Sequence, residues 1–409
     1  MNFIHPTLDE LNISNNSNIK NRINSNKINY FNKINDKPWG KEYLAYQNDH
    51  VGIWILHINK NEETSTHCHF KKDSMLLPIS GCFKINLYND YKIINIFDIL
   101  YIPKFTFHGI HAYCDNSVLI EMEIYTNDIS YTDKNDLLRI RDIYNRDKTN
   151  YEKSVLEREA HENEILNFHN INTHYELNRT NIFITNKLDT IENYDLVILL
   201  KGKMFNNNNI ISGGSIIDKS KNISLLSNDV EILCLCNNTY KYLSKIIYSN
   251  IHLVDYLKTI NNDEIFGLTS GCFDIIHSGH IINLIKSKKK VDKLFICLSS
   301  DEQVKRLKGQ IRPINDINDR INMLINFEFI DKIILYSELD DNLQIELDNI
   351  INIVKPDIWF KGPDYNEKEI RILHPSLKDI MLIESGYNIS TTQIINKINN
   401  NNNKIINDK

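Results

Sequence analysis

IFGLTSGCFDIIHSGHIINLI, residues 265–285, decides the fold of the C-terminal third. Its first seven residues read as a strand of the doubly buried kind found in parallel sheets. Two histidines, His277 and His280, then stand three apart at the opening of a predicted helix. Working outward, KLFICLSS (293–300), KIILYS (332–337) and DIWFKG (357–362) repeat the buried-strand texture, with helical stretches between them. Strand and helix in alternation predict a βαβ sheet with right-handed crossovers. In such an open sheet, ligands bind outside the carboxyl ends of the strands. A helix N-terminus at that point offers free N–H groups and positive dipole to a phosphate. Two imidazoles beside it can donate hydrogen bonds to oxygens that gain charge during phosphoryl-type transfer. A lone pair of histidines is often a core or surface feature. Here Gly271, the strand context and Asp274 argue for a site.

These residues resemble the cytidylyltransferase-like nucleotidyltransferases, whose HxGH signature matches His277 to His280. Similar families include the nucleotidyltransferase half of ADP-heptose synthase and glycerol-3-phosphate cytidylyltransferase. The likeness continues through SSDEQVKRLKGQIRPINDINDRINML (299–324) and KPDIWFKGPDY (355–365), and closes at ISTTQII (389–395). The resemblance implies that His277 and His280 hold the α/β-phosphate oxygens of a nucleoside triphosphate, CTP or ATP. It places Arg312 facing the triphosphate, and Lys288, with Lys289 or Lys290 as alternatives, where a basic residue follows the helix. Gly271, Cys272, Phe273, Asp274 and Asp301 would line the nucleotide site. Ser390, Thr391 and Thr392 would meet the β/γ-phosphates at a last helix, and Lys361 and Asp364 would contact nucleotide or acceptor. Asp274 is a candidate for holding Mg²⁺, since that ion binds through one carboxylate plus phosphates. The duller readings are salt bridges at Asp301 and Arg320, a solvated basic face at 288–290, and Ser390 as a plain helix cap.

Upstream, STHCHFKKDSMLLPISG (65–81) sets His67 and His69 two apart, on one face of a strand. YIPKFTFHGIHA (101–112) adds His108. Histidines converging inside a small β-barrel are a usual way to hold a borderline divalent metal. This region resembles a cupin. Its flanks, PWGKEY (38–43) and DLLRIRDIYNR (136–146), resemble the edges of the type II mannose-6-phosphate isomerase cupin. That likeness implies Zn²⁺ or another divalent metal on His67, His69, Asp73 and His108, with Arg139 and Arg146 near a sugar phosphate. The pattern departs at Lys72, where the family has Arg, at His67, where it often has Gln, at Phe105, where it has Gly, and at Ser74, on which the expected carboxylate falls, with Asp73 one place off. A one-residue offset turns a strand side chain to the other face, so Asp73 needs a bulge or loop to reach the site.

The remaining sequence bounds the organisation. At 409 residues and 48.0 kDa the chain exceeds one compact core. Hydrophobic residues at 42% and charged residues at 24% exclude wholesale disorder. The net charge of −6 leaves no basic excess for nucleic acid. No apolar run approaches the roughly 20 residues that span a bilayer. Seven cysteines, an odd number without a CxxC pair, and a start lacking a secretory pattern suggest a reduced, cytoplasmic chain. Roughly one residue in seven is Asn, a compositional bias that discounts Asn runs as functional signals.

The expected organisation is multidomain: an all-β cupin barrel and a C-terminal Rossmann-like α/β domain. Residues 1–36 read as a flexible leader, 37–150 as the cupin, and 151–260 as a linker helix plus a second, degenerate cupin-like β region or a connecting β domain. Residues 261–398 read as the nucleotidyltransferase and 399–409 as a disordered tail. The whole suggests an enzyme that joins a nucleoside triphosphate to a sugar or polyol phosphate, fused to a cupin that isomerises or binds that sugar phosphate, and able to form a homodimer. The alternative is a non-catalytic sugar-phosphate sensor or scaffold.

Overall fold

A computed structural model describes residues 2–15, 28–114, 116–126, 129–146, 156–161, 164–168, 170–178, 180–207, 209–237, 245–247, 250–258, 260–261, 263–336, 343–363, 365–384, 386, 390–395 and 397. The expected tail, 399–409, lies outside them. The chain divides into two compact units, residues 1–240 and 241–409. No helix among the described residues is long and apolar enough to cross a membrane.

The first unit is built of β-sheets. An eight-stranded sheet runs, in spatial order, Asn2–Phe3, Leu100–Ile102, Lys72–Ser80, Ser117–Tyr125, Val51–Ile58, Gly40–Gln47, Lys33–Lys37 and Leu156–Glu159. A five-stranded antiparallel sheet of Leu138–Arg141, Thr66–Cys68, His108–Ala112, Phe83–Leu87 and Tyr91–Ile94 covers one face. Trp54, Leu56, Leu76, Leu100 and Leu119 from the larger sheet pack there on Phe83, Ile85, Ile94 and Ile110. The opposite face carries the alternate residues Ile53, Ile55, Met75, Leu77, Ile120 and Met122. These meet Ile182, Ile184, Ile198, Leu200, Leu233 and Leu235 of a further four-stranded sheet. The large sheet is thus covered on both sides, which is why VGIWILHI is buried almost without interruption.

This layering corrects the linker helix and the flexible leader, and leaves a β region where one was expected. Residues 156–159 form an edge strand paired with Lys33–Lys37, not a linker helix. The 173–236 region forms two small antiparallel sheets, and the four-stranded one shares the hydrophobic core with the eight-stranded sheet. The described parts of 1–36 are anchored. The helix Leu8–Asn15 begins with a reciprocal cap between Thr7 and Glu10, and Glu10, 2% exposed, also accepts from the Phe107 amide at 2.8 Å.

The second unit is a six-stranded parallel sheet in the order Ile246–Ile247, Lys332–Tyr336, Lys293–Ser299, Phe266–Gly271, Ile358–Lys361, Asp379–Leu382. Its first strand, with the helix Asn250–Leu257, starts well before residue 261. The α/β unit therefore begins near residue 241, because Ile246 and Ile247 pair with the 332–336 strand and join its buried core. From Phe266–Gly271 the chain winds outward through 293–299 and 332–336, then crosses back to 358–361. Gly271 thus ends the central strand where the winding direction reverses, the crevice position of this architecture.

Candidate functional sites

In the second unit, the central strand ends at Gly271 and the chain turns through Phe273, which has a left-handed backbone (φ 46°). It then enters the helix Ser278–Lys288, with His277 at the N-cap in extended conformation and its side chain not used in capping. The His277 and His280 rings stack with centroids 3.8 Å apart. Burial lowers the pKa of both, His280 to about 4 with a further push from His277. Neutral imidazoles are therefore the resting state. Neither Nδ1 has a hydrogen-bond partner among the described residues, so neither tautomer is fixed and Nε2 can carry the proton and donate.

Around this pair the strand ends are rigidly tied. Arg320 is 0% exposed and donates to the carbonyls of Cys272 (2.7 Å) and Ser299 (2.8 Å), and to Asp301 (2.6 Å). Asp301 also accepts from the Ile317 amide, so its carboxylate braces the crevice floor. Sequence reading offered Arg320 only as a surface salt bridge; it is a buried clamp. Asp274 accepts from the Ile314 (2.8 Å) and Asn315 (2.9 Å) amides and pairs with Arg312. Burial pushes its carboxyl up, but these donors outweigh that and hold it below the usual range. Both oxygens are thus occupied, and Asp274 does not fit the Mg²⁺ role the resemblance implied; it fastens the Arg312 loop beside the histidines.

Lys361 reaches Ser270 at 2.7 Å, and Thr391 donates to the Ile275 carbonyl at 3.4 Å, so both lie at this end of the sheet. Ser390 caps the last helix, accepting from Gln393, and Thr392 is exposed. Asp364 lies outside the described residues. Lys288 is misplaced by the sequence reading. Eleven residues of helix put it roughly 16 Å beyond His277, where it binds Asp331 at 2.6 Å. Lys289 and Lys290 lie still further along.

The first unit holds a second constellation. His67 and His108 face each other across paired strands, and the candidate ligand atoms of His67, His69 and His108 all lie within 4.8 Å of one another. Each ring is oriented in the same way. Nδ1 of His67 contacts the Ser65 carbonyl (2.9 Å), that of His69 the Asp136 carbonyl (2.6 Å), and that of His108 the Thr106 carbonyl (3.1 Å). A carbonyl can only accept, so each Nδ1 carries the proton and each Nε2 presents a lone pair. Burial drives all three pKa values down, and His69 Nε2 is buried without a hydrogen-bond partner among the described residues. Neutral rings with converging lone pairs fit a divalent cation.

Asp73 is not part of this cluster. The strand Lys72–Ser80 points Lys72, Ser74 and Leu76 toward the five-stranded sheet and Asp73 toward the other face. There Asp73 accepts from the Lys104 amide at 2.8 Å and from the Tyr101 hydroxyl. The carboxylate that does face the histidines is Glu121, on the neighbouring strand, 3.9 Å from His69 Nε2. Arg139 and Arg146 line the same cavity, joined by Lys37, Lys134 and Glu42, which sequence reading missed. Glu42 lies 3.6 Å from Lys37 and 3.5 Å from Lys134. Burial lowers the Lys37 pKa to about 7; Glu42 opposes the shift, and Lys134, Arg146 and Arg139 add to it.

Residues 268–397 match the family model described as cytidylyltransferase-like. The bifunctional protein HldE of Campylobacter fetus is 40% identical over 148 residues, 36% of this chain and 31% of that protein. The chain thus spans about a third of the length of the curated relatives it matches. A lipopolysaccharide core biosynthesis protein from Thermoplasma volcanium aligns over 30% of this chain and 98% of its own, at 28% identity and a TM-score of 0.26. A cupin-superfamily sugar phosphate isomerase from Silicibacter pomeroyi aligns over 19% of this chain and 52% of its own, at 12% identity and a TM-score of 0.18. The C-terminal domain is cytidylyltransferase-like, and the chain is multidomain.

Proposed function

We propose that the C-terminal unit is a nucleotidyltransferase acting on a sugar or polyol phosphate. The acceptor's phosphate oxygen attacks the α-phosphorus of CTP or ATP in line, the α–β phosphoanhydride bond breaks, and pyrophosphate leaves. The protein's work in such a transfer is positioning and charge stabilisation. The observation that carries the reading is the stacked, neutral His277–His280 pair at a helix N-terminus, just past the central strand. Both imidazoles can donate to oxygens that gain charge as the leaving bond stretches. Arg320 and the Asp274–Arg312 pair fix the surrounding strand ends, so the donors need little reorganisation.

The N-terminal pocket is read as a binding site for a phosphorylated sugar, with a divalent cation such as Zn²⁺ on His67, His69 and His108. When bound, that ion polarises a carbonyl or hydroxyl as a Lewis acid. Lys37, Lys134, Arg139 and Arg146 supply positive charge for the phosphate, and a sugar-phosphate isomerisation suits the pocket.

The decisive experiment incubates the full chain with CTP or ATP, Mg²⁺ and a panel of sugar and polyol phosphates, and follows pyrophosphate. Release with one nucleotide and one acceptor class supports the reading and names both. Nucleotide binding by calorimetry with no release for any pair contradicts it in favour of a sensor or scaffold.

A further inference from the structure

We infer that the N-terminal metal centre takes its carboxylate from Glu121 on the strand Ser117–Tyr125, not from the strand that follows His69. The inference rests on the metal reading above and deepens it. Strand parity starts the argument. Leu119, Glu121 and Glu123 face the five-stranded sheet, while Val118, Ile120 and Met122 face the other layer. Glu121 pairs in register with Leu76, and Ser74 with Glu123, so Ser74 is the diagonal neighbour of Glu121. The Ser74 hydroxyl donates to Glu121 Oε1 at 3.1 Å and holds that oxygen beside His69 Nε2. The position where a carboxylate on the His69-side strand would reach the cavity is thus filled by a serine that orients a carboxylate from next door.

Charge completes it. Glu121 is 7% exposed and forms no salt bridge with Lys or Arg among the described residues. The other acids on this side have cationic partners: Glu123 pairs with Lys72, and Glu42 lies within 4 Å of Lys37 and Lys134. The Lys72 ammonium, held on Glu123, also feels the Glu121 charge but forms no ion pair with it, and a buried carboxylate placed so is costly unless a cation sits against it. A divalent ion on three neutral imidazoles, in a pocket that already holds four Lys and Arg side chains, needs an anion close by. One ion answers both. Zinc–nitrogen and zinc–oxygen bonds of about 2.0–2.2 Å put adjacent ligand atoms a little over 3 Å apart, so the 3.9 Å separation closes with a small side-chain shift.

The test uses the full chain, stripped with chelator and titrated with Zn²⁺ alone in a calorimeter. Glu121→Gln should bind at least about tenfold more weakly, more than loss of an outer-shell partner typically costs, while Asp73→Asn should bind as the parent does. A crystal of the parent chain grown with Zn²⁺ needs no variant, and should show a Glu121 oxygen about 2.0–2.2 Å from the ion. Unchanged affinity in Glu121→Gln, or a water at that position with Glu121 still on Ser74, overturns the assignment of Glu121 alone. A parent chain that takes up no Zn²⁺, Mn²⁺ or Co²⁺ overturns the metal reading beneath it.

Discussion

The two histidine constellations use one residue type for opposite ends. In the first unit, backbone carbonyls capture every Nδ1–H and turn three bare Nε2 atoms toward a common point. In the second, no acceptor among the described residues meets either Nδ1, and two stacked rings can donate from Nε2. Burial keeps all five rings neutral. On the proposed reading, what separates a cation site from an anion site is the partner behind the ring, which is backbone in one unit and, among the described residues, absent in the other.

That contrast can be broken in graded steps. The largest effect should come from Arg320→Met, which leaves Asp301 and two strand-end carbonyls without their buried partner. Loss of about 3 kcal/mol or more is expected in the unfolding of the second unit, measured by urea titration, with Zn²⁺ uptake by the first unit unchanged. His280→Ala should lower the rate of pyrophosphate release by about 10²–10³ in a coupled assay and leave metal content alone. His69→Ala should do the reverse: Zn²⁺ affinity falls by more than about tenfold while pyrophosphate release persists. Equal damage to both activities by either variant would erase the division.

Two smaller effects sharpen it further. Lys37 has its pKa lowered to about 7, so its positive charge is present below that value and lost as pH rises through it. Binding of a sugar phosphate to the first unit should therefore weaken by about tenfold between pH 6 and 8, the worth of one charge-assisted hydrogen bond. Lys37→Met should flatten that step in a calorimetric pH series, with Glu42, Lys134, Arg139 and Arg146 still facing the ligand. Lys288→Ala should change pyrophosphate release by no more than about twofold, as befits a side chain bound to Asp331 at the far end of its helix.

Short-range spacing made the histidines legible. HxGH and HxH each fix two rings within one turn or one strand face, and the parallel strands around 265–361 announced themselves as apolar runs. Glu121 was not legible, because strand pairing alone brings it to residues some fifty positions earlier. The error at Asp73 was one of parity, and the sequence held the clue: an offset of one turns a side chain outward. The described part of the leader is anchored despite its Asn-rich composition, and Thr7 and Glu10 carry the spacing of a reciprocal helix cap. Lys288 was placed by family order, without the length of the helix that carries it away.

The central claim is that His277 and His280 sit on the phosphates of a bound nucleotide. A crystal structure of the full chain with a non-hydrolysable CTP or ATP analogue tests it most directly. Both Nε2 atoms should lie within about 2.7–3.1 Å of phosphate oxygens at the start of the Ser278–Lys288 helix. A triphosphate bound elsewhere, or imidazoles with no phosphate oxygen in reach, would contradict it.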